Sequence, residues 1–286
     1  MLRVIVGFSF GRGNPRVWEE VPIEALMINA LDVYRHSFPK ITFDGELWMD
    51  SGGYQIISKG YSLEPEKVAK WQSRYNPDFA ILPDNPKSPT LSLRWYKKYL
   101  ASPQKPESEY VPVIHTNWQK RHIRELLEIL SPNYVAIGGI SKRLFPFKKE
   151  EIRKIFKLVR FFKKELGVRV HVLGVGGYQI IPLFKLLDVD SFDTTNWLHD
   201  ASYGLIRVDS KAYSVQKKMR NKNTPLPRDF VCHCPACRKY WRNIRSNGIM
   251  GLRARALHNL INLINYVKKI NSMTKTDIIK MLRAKD

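Results

Sequence analysis

Glu46-Leu-Trp-Met-Asp-Ser-Gly-Gly-Tyr-Gln55 is a short apolar run that ends in an aspartate and continues directly into two glycines. Similar apolar runs recur along the chain and alternate with amphipathic helical stretches, a pattern typical of β-α units and a parallel sheet. The predicted strands are Leu2–Phe8, Glu46–Met49, Asp78–Leu82, Tyr110–Ile114, Tyr134–Ile137, Val168–Leu173 and Val189–Phe192, with an eighth near Tyr203–Val208.

The predicted helices lie between these strands, at Pro22–Arg35, Glu64–Tyr75, Leu91–Leu100, Trp118–Leu130, Lys148–Leu166 and Tyr178–Leu187. This order predicts an α/β fold: a closed (β/α)8 TIM-like barrel over residues 1–222, with a basic Cys3His zinc-binding module and C-terminal helices over residues 223–286. An open doubly wound sheet is the alternative, although no G-x-G-x-x-G fingerprint follows the first strand.

All three cysteines lie in Cys232-His-Cys234-Pro-Ala-Cys237, and His258 follows on a predicted helix. Three thiolates and one imidazole are the ligands of a closed tetrahedral zinc site. His171 and His199 fall in or beside predicted strands, and His233 should point away from its neighbours, so these are weaker ligands. Three buried structural cysteines are the alternative. A saturated site leaves no position for water, so we expect structural Zn2+ and chemistry elsewhere.

The net charge of +22 is unevenly distributed, because 19 Lys and Arg but only four Asp and no Glu follow residue 200. This field predicts a nucleic-acid partner, with an anionic membrane surface or a solvated lysine-rich face as alternatives. The basic candidates are Lys217, Lys218, Arg220, Lys222, Arg238, Lys239, Arg242 and Arg245. Neither a membrane span nor a signal peptide is evident, so we expect a cytoplasmic protein, in the host cytoplasm if it is viral.

Polar and glycine residues follow the predicted strand ends, where the active sites of barrels form. Asp50, Asp84 and Asp193 end three different strands. Paired carboxylates perform acid–base and nucleophilic work at an anomeric carbon, although any one of them could instead cap a helix. The remaining candidates accompany them: Ser51, Gly52, Gly53, Tyr54, Gln55, His115, Gly138, Gly139 and Gly174.

Asp50-Ser-Gly-Gly-Tyr-Gln55, Gly138-Gly139, Phe192-Asp193 and the Cys-x-Cys-x-x-Cys motif with its later histidine together resemble the guanine transglycosylases, from about residue 45 to residue 262. The resemblance implies a zinc-containing barrel that exchanges guanine for a free 7-deazaguanine base in a polynucleotide. It implies that Asp193 is the nucleophile of a covalent glycosyl intermediate, Asp50 the general acid/base, and Asp84 the residue that reads the base edge. The tRNA enzymes of the family pair through the zinc-bearing region, so a homodimer is also expected.

Departures from the family pattern bear on the polymer. His115 stands where the family has a base-contacting glutamine, and Asp193-Thr-Thr-Asn196 replaces the Pro-Thr-Arg run with which bacterial enzymes grip the anticodon loop. The chain is also shorter than the bacterial tRNA enzymes and lacks the RNA-binding domains of archaeal ones. We therefore expect DNA, as in the compact and often viral relatives that install 7-deazaguanines in DNA, with tRNA as the alternative.

Two other function classes remain open. One is a noncatalytic paralogue with the same barrel, which is stabilised by zinc and binds nucleic acid. The other is a barrel glycosidase or nucleoside hydrolase, which uses similar carboxylates but has no need of so basic a final third.

Overall fold

The structure, a computed structural model, describes residues 1–11, 13–36, 41–53, 60, 63–140, 149–215 and 224–283. Its strands are β1 (Arg3–Gly7), β2 (Ala25–Asn29), β3 (Glu46–Asp50), β4 (Phe79–Ile81), β5 (Glu109–Val111), β6 (Val113–Ile114), β7 (Tyr134–Ile137), β8 (Arg169–Val172), β9 (Ser191–Thr194), β10 (Leu205–Val208), β11 (Lys211–Ser214) and β12 (Thr224–Pro225). Its α-helices are Ala30–His36, Pro65–Ser73, Pro89–Ala101, Lys120–Ile129, Lys149–Arg160, Ile181–Leu186, Asn196–Ser202, Pro235–Tyr240, Gly248–Ser272 and Lys275–Arg283.

Nine of these strands form one parallel sheet in the order β5-β4-β3-β2-β1-β9-β8-β7-β6. β5 and β6 are two halves of one predicted strand that is divided at Pro112, a residue without a backbone N–H. β5 pairs with β4 on one side, and β6 pairs with β7 on the other. The two ends of the sheet therefore meet in one continuous stretch of chain, and the predicted TIM-like barrel is confirmed over the open sheet.

The second strand of the barrel was not predicted, because the helix expected over Pro22–Arg35 is wrong in its first half. Ala25–Asn29 is a strand that pairs with β1 and β3, and only Ala30–His36 is helical. Ala25 to Ile28 are all buried, since they lie between the other strands and the surrounding helices. A strand buried on both faces has no alternation of polar and apolar residues, so its pattern is easily mistaken for a helix.

The strand expected near Tyr203–Val208 exists as β10 but is not part of the barrel. It pairs antiparallel with β11, which pairs in turn with β12. Beside this small sheet is a separate apolar cluster that includes Ile206, Leu226 and Cys237. The division of the chain at residues 222 and 223 stays a prediction.

Alternate residues of the barrel strands point inward, as the period of a β-strand requires. The interior cluster contains Ile5, Ala25, Met27, Trp48, Phe79, Ile81, Val111, Val113, Tyr134 and Ala136. Asp50 lies two residues beyond Trp48 on the same strand and so continues the inward row at the carboxyl end of β3. Asp193 also points inward near the carboxyl end of its strand, β9. Two aspartates on strands of the sheet therefore reach the barrel mouth.

The helix Gly248–Ser272 joins the small sheet to the barrel. Asn259 accepts a hydrogen bond from Arg207 N–H and donates to the carbonyls of Trp197 and Leu205. Asn271, further along the helix, makes both backbone hydrogen bonds of Leu2. No helix in the described part of the chain is long and apolar enough to cross a membrane.

Candidate active site and metal centre

Asp50 ends β3 and receives two hydrogen bonds on one oxygen. The side-chain amide of Asn29 donates to Asp50 Oδ2 over 2.9 Å, and the backbone N–H of Gly52 donates to the same oxygen over 3.1 Å. Gly52 has a φ of +75°, and a Cβ there would lie 2.7 Å from the Asn29 side-chain oxygen. Glycine is thus required for the chain to turn back onto the carboxylate.

Asn29 is a site residue that the sequence did not indicate, because it ends the strand that was mistaken for a helix. Its side-chain oxygen accepts from Leu31 N–H over 2.9 Å, which leaves the amide nitrogen to face Asp50. Asn29 and Asp50 are also directly paired in the register of β2 and β3. The amide is therefore both a helix cap and a fixed donor to the carboxylate.

The environment of Asp50 favours its protonated form. Burial raises the pKa of Asp50 from 3.8 to about 7, and the negative charges of Asp193 and Asp84 act in the same direction against the Gly52 hydrogen bond. A carboxyl group with a pKa near neutrality can both give and take a proton at the pH of a cell. Such a shift beside two further carboxylates is typical of a functional site.

Asp193 lies on β9, is 8% exposed, and is held by donors from β8 and the loop after it. The backbone N–H of Gly174 donates to Asp193 Oδ1 over 2.7 Å, and Nε2 of His171 lies 3.2 Å from the same oxygen. Gly174 has a φ of +66°, which turns its N–H toward the carboxylate. One oxygen of Asp193 is consequently bound to the scaffold, as in Asp50.

Asp84 and His115 form a close pair on neighbouring strand ends. His115 Nε2 lies 2.6 Å from Asp84 Oδ2, and His115 is 5% exposed. The other ring nitrogen faces the glycine pair: a Cβ on Gly139 would lie 2.8 Å from His115 Nδ1, and one on Gly138 would lie 2.9 Å from His115 Cε1. The glycines thus make room for the imidazole at the barrel mouth.

The remaining predicted base-binding residues fall into two groups. Ser51 and Gly53 are buried, and the Ser51 hydroxyl accepts from the Gly53 N–H, so this pair shapes the turn after β3. Tyr54 and Gln55 lie outside the described residues. The roles assigned to all of these side chains stay predictions.

The metal-ligand set predicted from the sequence is assembled. The ligand atoms of Cys232, Cys234, Cys237 and His258 all lie within 4.8 Å of one another. His258 Nδ1 lies 3.6, 3.5 and 3.2 Å from the three sulfurs in that order. Zn–S and Zn–N bonds of about 2.3 and 2.0–2.1 Å at a tetrahedral angle place sulfur and nitrogen about 3.5 Å apart. The four side chains fit a tetrahedral Cys3His metal site.

The other nitrogen of His258 fixes the orientation of the ring. Nε2 lies 2.6 Å from the carbonyl oxygen of Arg207 on β10, so it donates there and leaves Nδ1 for the metal. A second hydrogen bond of this kind is usual for metal-bound histidines. This contact was not predicted, since nothing in the cysteine motif indicates which strand packs against it.

The predicted nucleic-acid-binding residues differ in their surroundings. Arg238 and Arg242 are exposed beside the metal site. Lys239 is exposed but pairs with Glu20 over 3.1 Å, and Arg245 donates to the carbonyls of residues 226 and 227. The four other basic candidates, Lys217, Lys218, Arg220 and Lys222, lie outside the described residues. Phosphate contacts by any of the eight stay predictions.

Comparisons with known proteins give a consistent result. A family described as queuine tRNA-ribosyltransferase matches residues 35–285. A queuine tRNA-ribosyltransferase of Prochlorococcus marinus strain MIT 9312 is 25% identical over 268 residues, which cover 79% of this chain and 70% of the relative. The enzyme of that name from Pelotomaculum thermopropionicum is 24% identical over 289 residues, 85% of this chain and 75% of the relative.

A viral protein is also similar. Uncharacterized protein 306 of Sulfolobus islandicus rod-shaped virus 1 is 30% identical over 169 residues, which cover 57% of this chain and 53% of the relative. The family match spans most of the barrel and the whole metal site. The chain therefore belongs to the queuine tRNA-ribosyltransferase family of pentosyltransferases.

Proposed function

We propose that this guanine transglycosylase exchanges guanine for a free 7-deazaguanine base in DNA, through a covalent aspartyl-glycosyl intermediate. The observation that supports this most strongly is the presence of two carboxylates at one barrel mouth, each with one oxygen held by two donors. Burial and the charges of Asp193 and Asp84 raise the pKa of Asp50 to about 7, so this group can give and take a proton beside Asp193. A double displacement needs one proton-transferring group and one nucleophile, and these environments suit those roles.

In the first half of the exchange, Asp193 Oδ2 attacks C1′ of the target nucleotide. A C1′–O bond forms while the C1′–N9 bond breaks, and its electron pair leaves with the guanine. Asp50 gives its proton to the departing base, so free neutral guanine is released. The sugar remains in the polymer, bound to Asp193 as an ester.

In the second half, the Asp50 carboxylate takes the N9 proton from the incoming 7-deazaguanine. N9 attacks C1′, the C1′–O bond breaks, and the electron pair returns to the Asp193 carboxylate. Asp50 is then protonated again and both groups are ready for another turnover. A pKa near 7 serves both halves, since neither proton transfer is strongly uphill.

The base is read by the pair of Asp84 and His115. A carboxylate accepts hydrogen bonds, so Asp84 suits the N1–H and amino donors of guanine-type bases. His115 donates from Nε2 to Asp84, so Nδ1, beside Gly139, is left as an acceptor for a further N–H of the base. A flipped base stacked in this pocket would thus be recognised along one edge.

The metal in this proposal is Zn2+ held by Cys232, Cys234, Cys237 and His258. With all four positions taken by protein, such an ion would supply structure rather than a reactive water. The ligand helix Gly248–Ser272 packs on the barrel, so the ion would fix the basic segment beside it. Exposed apolar side chains here, Val231, Ile249 and Met250, support a homodimer through this region.

DNA as the polymer is supported by the sequence after Asp193, where Thr-Thr-Asn196 stands in place of the Pro-Thr-Arg run of the bacterial tRNA enzymes. The helix Asn196–Ser202 occupies this place, and its Trp197 is 1% exposed and donates to the carbonyl of Gly7. One similar protein is viral, and its printed name states no polymer. The printed names of the bacterial relatives instead favour tRNA, which is the second candidate. Both polymers would meet the same excess of positive charge.

The direct test offers a labelled 7-deazaguanine to the full-length protein with duplex DNA, single-stranded DNA or unmodified tRNA. We expect label to enter DNA and unlabelled guanine to be released in equal amount. Label in tRNA alone would establish the second candidate, and base released from free nucleosides without a polymer would indicate a hydrolase. Binding of polymer without any exchange would indicate the noncatalytic paralogue.

The covalent step has its own test. Asp193→Asn should abolish exchange and the protein–polymer adduct that is trapped by denaturation during turnover. Asp44→Asn, at an exposed aspartate two residues before β3 and so at the opposite end of that strand from Asp50, is the matched control and should retain both. Undiminished exchange in the Asp193→Asn variant would remove the assigned nucleophile.

A further inference from the structure

A line of buried polar groups runs from Asp193 into the barrel interior. His171 Nε2 lies 3.2 Å from Asp193 Oδ1, and His171 Nδ1 lies 2.9 Å from the hydroxyl of Ser191. That hydroxyl lies 3.3 Å from the hydroxyl of Tyr134. His171 and Ser191 are 0% exposed and Tyr134 is 1% exposed. Buried polar groups are costly unless they bond to one another, so this line has a defined arrangement of protons.

The arrangement follows from the carboxylate at its end. An ionised carboxylate only accepts, so the proton between His171 and Asp193 must sit on Nε2. The other ring nitrogen, Nδ1, bonds to the Ser191 hydroxyl. The Ser191 hydroxyl also bonds to the hydroxyl of Tyr134, whose pKa is raised by burial. The imidazole is therefore held at both of its nitrogens, by Asp193 on one side and by Ser191 with Tyr134 on the other.

The sheet and its aromatic core hold the imidazole in place. His171 is paired with Ala136 on one side and Ser191 on the other in the register of β7, β8 and β9. The Trp48 ring lies against the imidazole, with centroids 5.1 Å apart and planes 30° from parallel. A fully buried ring between two strands and an indole has little freedom to turn away from Asp193.

Aspartate, histidine and serine also form the triad of serine hydrolases, but there the serine is the residue that meets the substrate. Here the aspartate lies nearest the barrel mouth and the serine lies deepest. Ser191 is 0% exposed and lies on the far side of His171 from the mouth, so it cannot meet a substrate. Asp193 is the member nearest the pocket. The histidine and serine therefore support the carboxylate, whereas in a hydrolase the carboxylate supports them.

We propose that His171, supported by Ser191 and Tyr134, is a positioning residue that determines which oxygen of Asp193 attacks the sugar. The proposal rests on Asp193 being the nucleophile. Gly174 N–H and His171 Nε2–H both bind Oδ1, so Oδ2 is the oxygen presented to C1′. When the ester breaks and negative charge returns to Asp193, the same two donors receive it.

The experiment compares His171→Leu, which removes the donor, with His171→Gln, whose amide can again donate to Asp193. In the full-length protein, His171→Leu should lower kcat for base exchange by ~10–100-fold, as expected for a misplaced reacting group, and slow formation of the trapped adduct equally. KM for the free base should change less than about twofold, because Asp84 and His115 are untouched. His171→Gln should recover most of the lost kcat.

Three results would overturn the proposal: wild-type kcat in the His171→Leu variant, a rise in KM that accounts for the whole loss, or no recovery with glutamine in a folded protein. If His171→Leu does not fold, Ser191→Ala is the milder variant, and it should lower kcat a few-fold with KM unchanged. Undiminished kcat in Ser191→Ala would then count against the line. The Asp193→Asn variant distinguishes failure of the proposed function from failure of the positioning role. Base exchange that persists in Asp193→Asn refutes Asp193 as the nucleophile. Loss of exchange in Asp193→Asn together with wild-type exchange in His171→Leu refutes only the positioning role of His171.

Discussion

Replacing Asp50 with asparagine should remove a pH dependence from the stability of the protein. Burial and the charges of two other carboxylates raise the pKa of Asp50 to about 7 in the folded protein, against 3.8 for the free group. Between these values the folded protein holds a proton that the unfolded chain releases. The contribution of Asp50 to stability is therefore largest at acid pH and is lost as the pH rises toward 7.

The magnitude follows from the size of the shift. About three pKa units at roughly 1.4 kcal/mol each amount to about 4 kcal/mol in total, and about 2.5 kcal/mol of this falls between pH 5 and pH 8. Asparagine has no charge to desolvate, and its side-chain oxygen can still accept from Asn29 and Gly52. The difference in free energy of unfolding between the variant and the wild type should thus move by about 2.5 kcal/mol in favour of the variant over this range.

Urea unfolding monitored by tryptophan fluorescence at pH 5, 6, 7 and 8 measures this difference directly. Asp44→Asn, which removes an exposed carboxylate of the same size, is the matched control with which the change in Asp50→Asn is compared at each pH. A difference between Asp50→Asn and wild type that stays constant within about 0.5 kcal/mol from pH 5 to pH 8 would refute the reasoning. Asp50 would then be ionised and solvated like an ordinary surface carboxylate.

Three further predictions concern the base, the acid and the metal. Asp84→Ala should weaken binding of the free base by at least tenfold with little effect on polymer affinity, as measured by equilibrium binding of each; equal losses would overturn its assigned role. Asn29→Ala removes a donor to ionised Asp50, so the pKa of Asp50 should rise above 7 and the pH optimum of exchange should move upward; an unmoved pH profile would contradict this. Removal of the metal by a chelator, or Cys237→Ser, should speed amide hydrogen exchange in residues 226–245 and weaken polymer binding while the barrel strands stay protected; protection that is unchanged would mean that the metal is not structural.

The barrel was predictable because most of its strands carry an obvious signal. Short apolar runs that end in aspartate or glycine mark β3, β7 and β9, and these are the strands that carry or flank the chemistry. The sequence of β2 gave no such signal. Because β2 is buried on both faces and a helix follows it directly, its apolar residues and those of the helix together resemble one longer helix. With β2 missed, Asn29 could not be placed beside Asp50.

The metal site was predictable for a different reason. Its ligands are three cysteines close together in sequence and a histidine on a helix, so residue type and spacing nearly suffice. Contacts between distant segments were not predictable in this way. The Arg207 carbonyl behind His258 and the imidazole of His171 behind Asp193 depend on strand register, which no local pattern indicates.

Asp50 and Asp193 are held by the same arrangement of donors, although the proposed mechanism gives them different roles, as general acid/base and as nucleophile. Each has one oxygen bound by the N–H of a glycine with positive φ and by a side-chain donor from an adjacent strand. Because both groups have the same two kinds of donor, these donors alone cannot make one group an acid and the other a nucleophile. Burial and the charges of Asp193 and Asp84 raise the pKa of Asp50 to about 7, so Asp50 can hold the proton. The strands thus set which oxygens face the substrate, and the surrounding charges set which carboxyl group holds the proton.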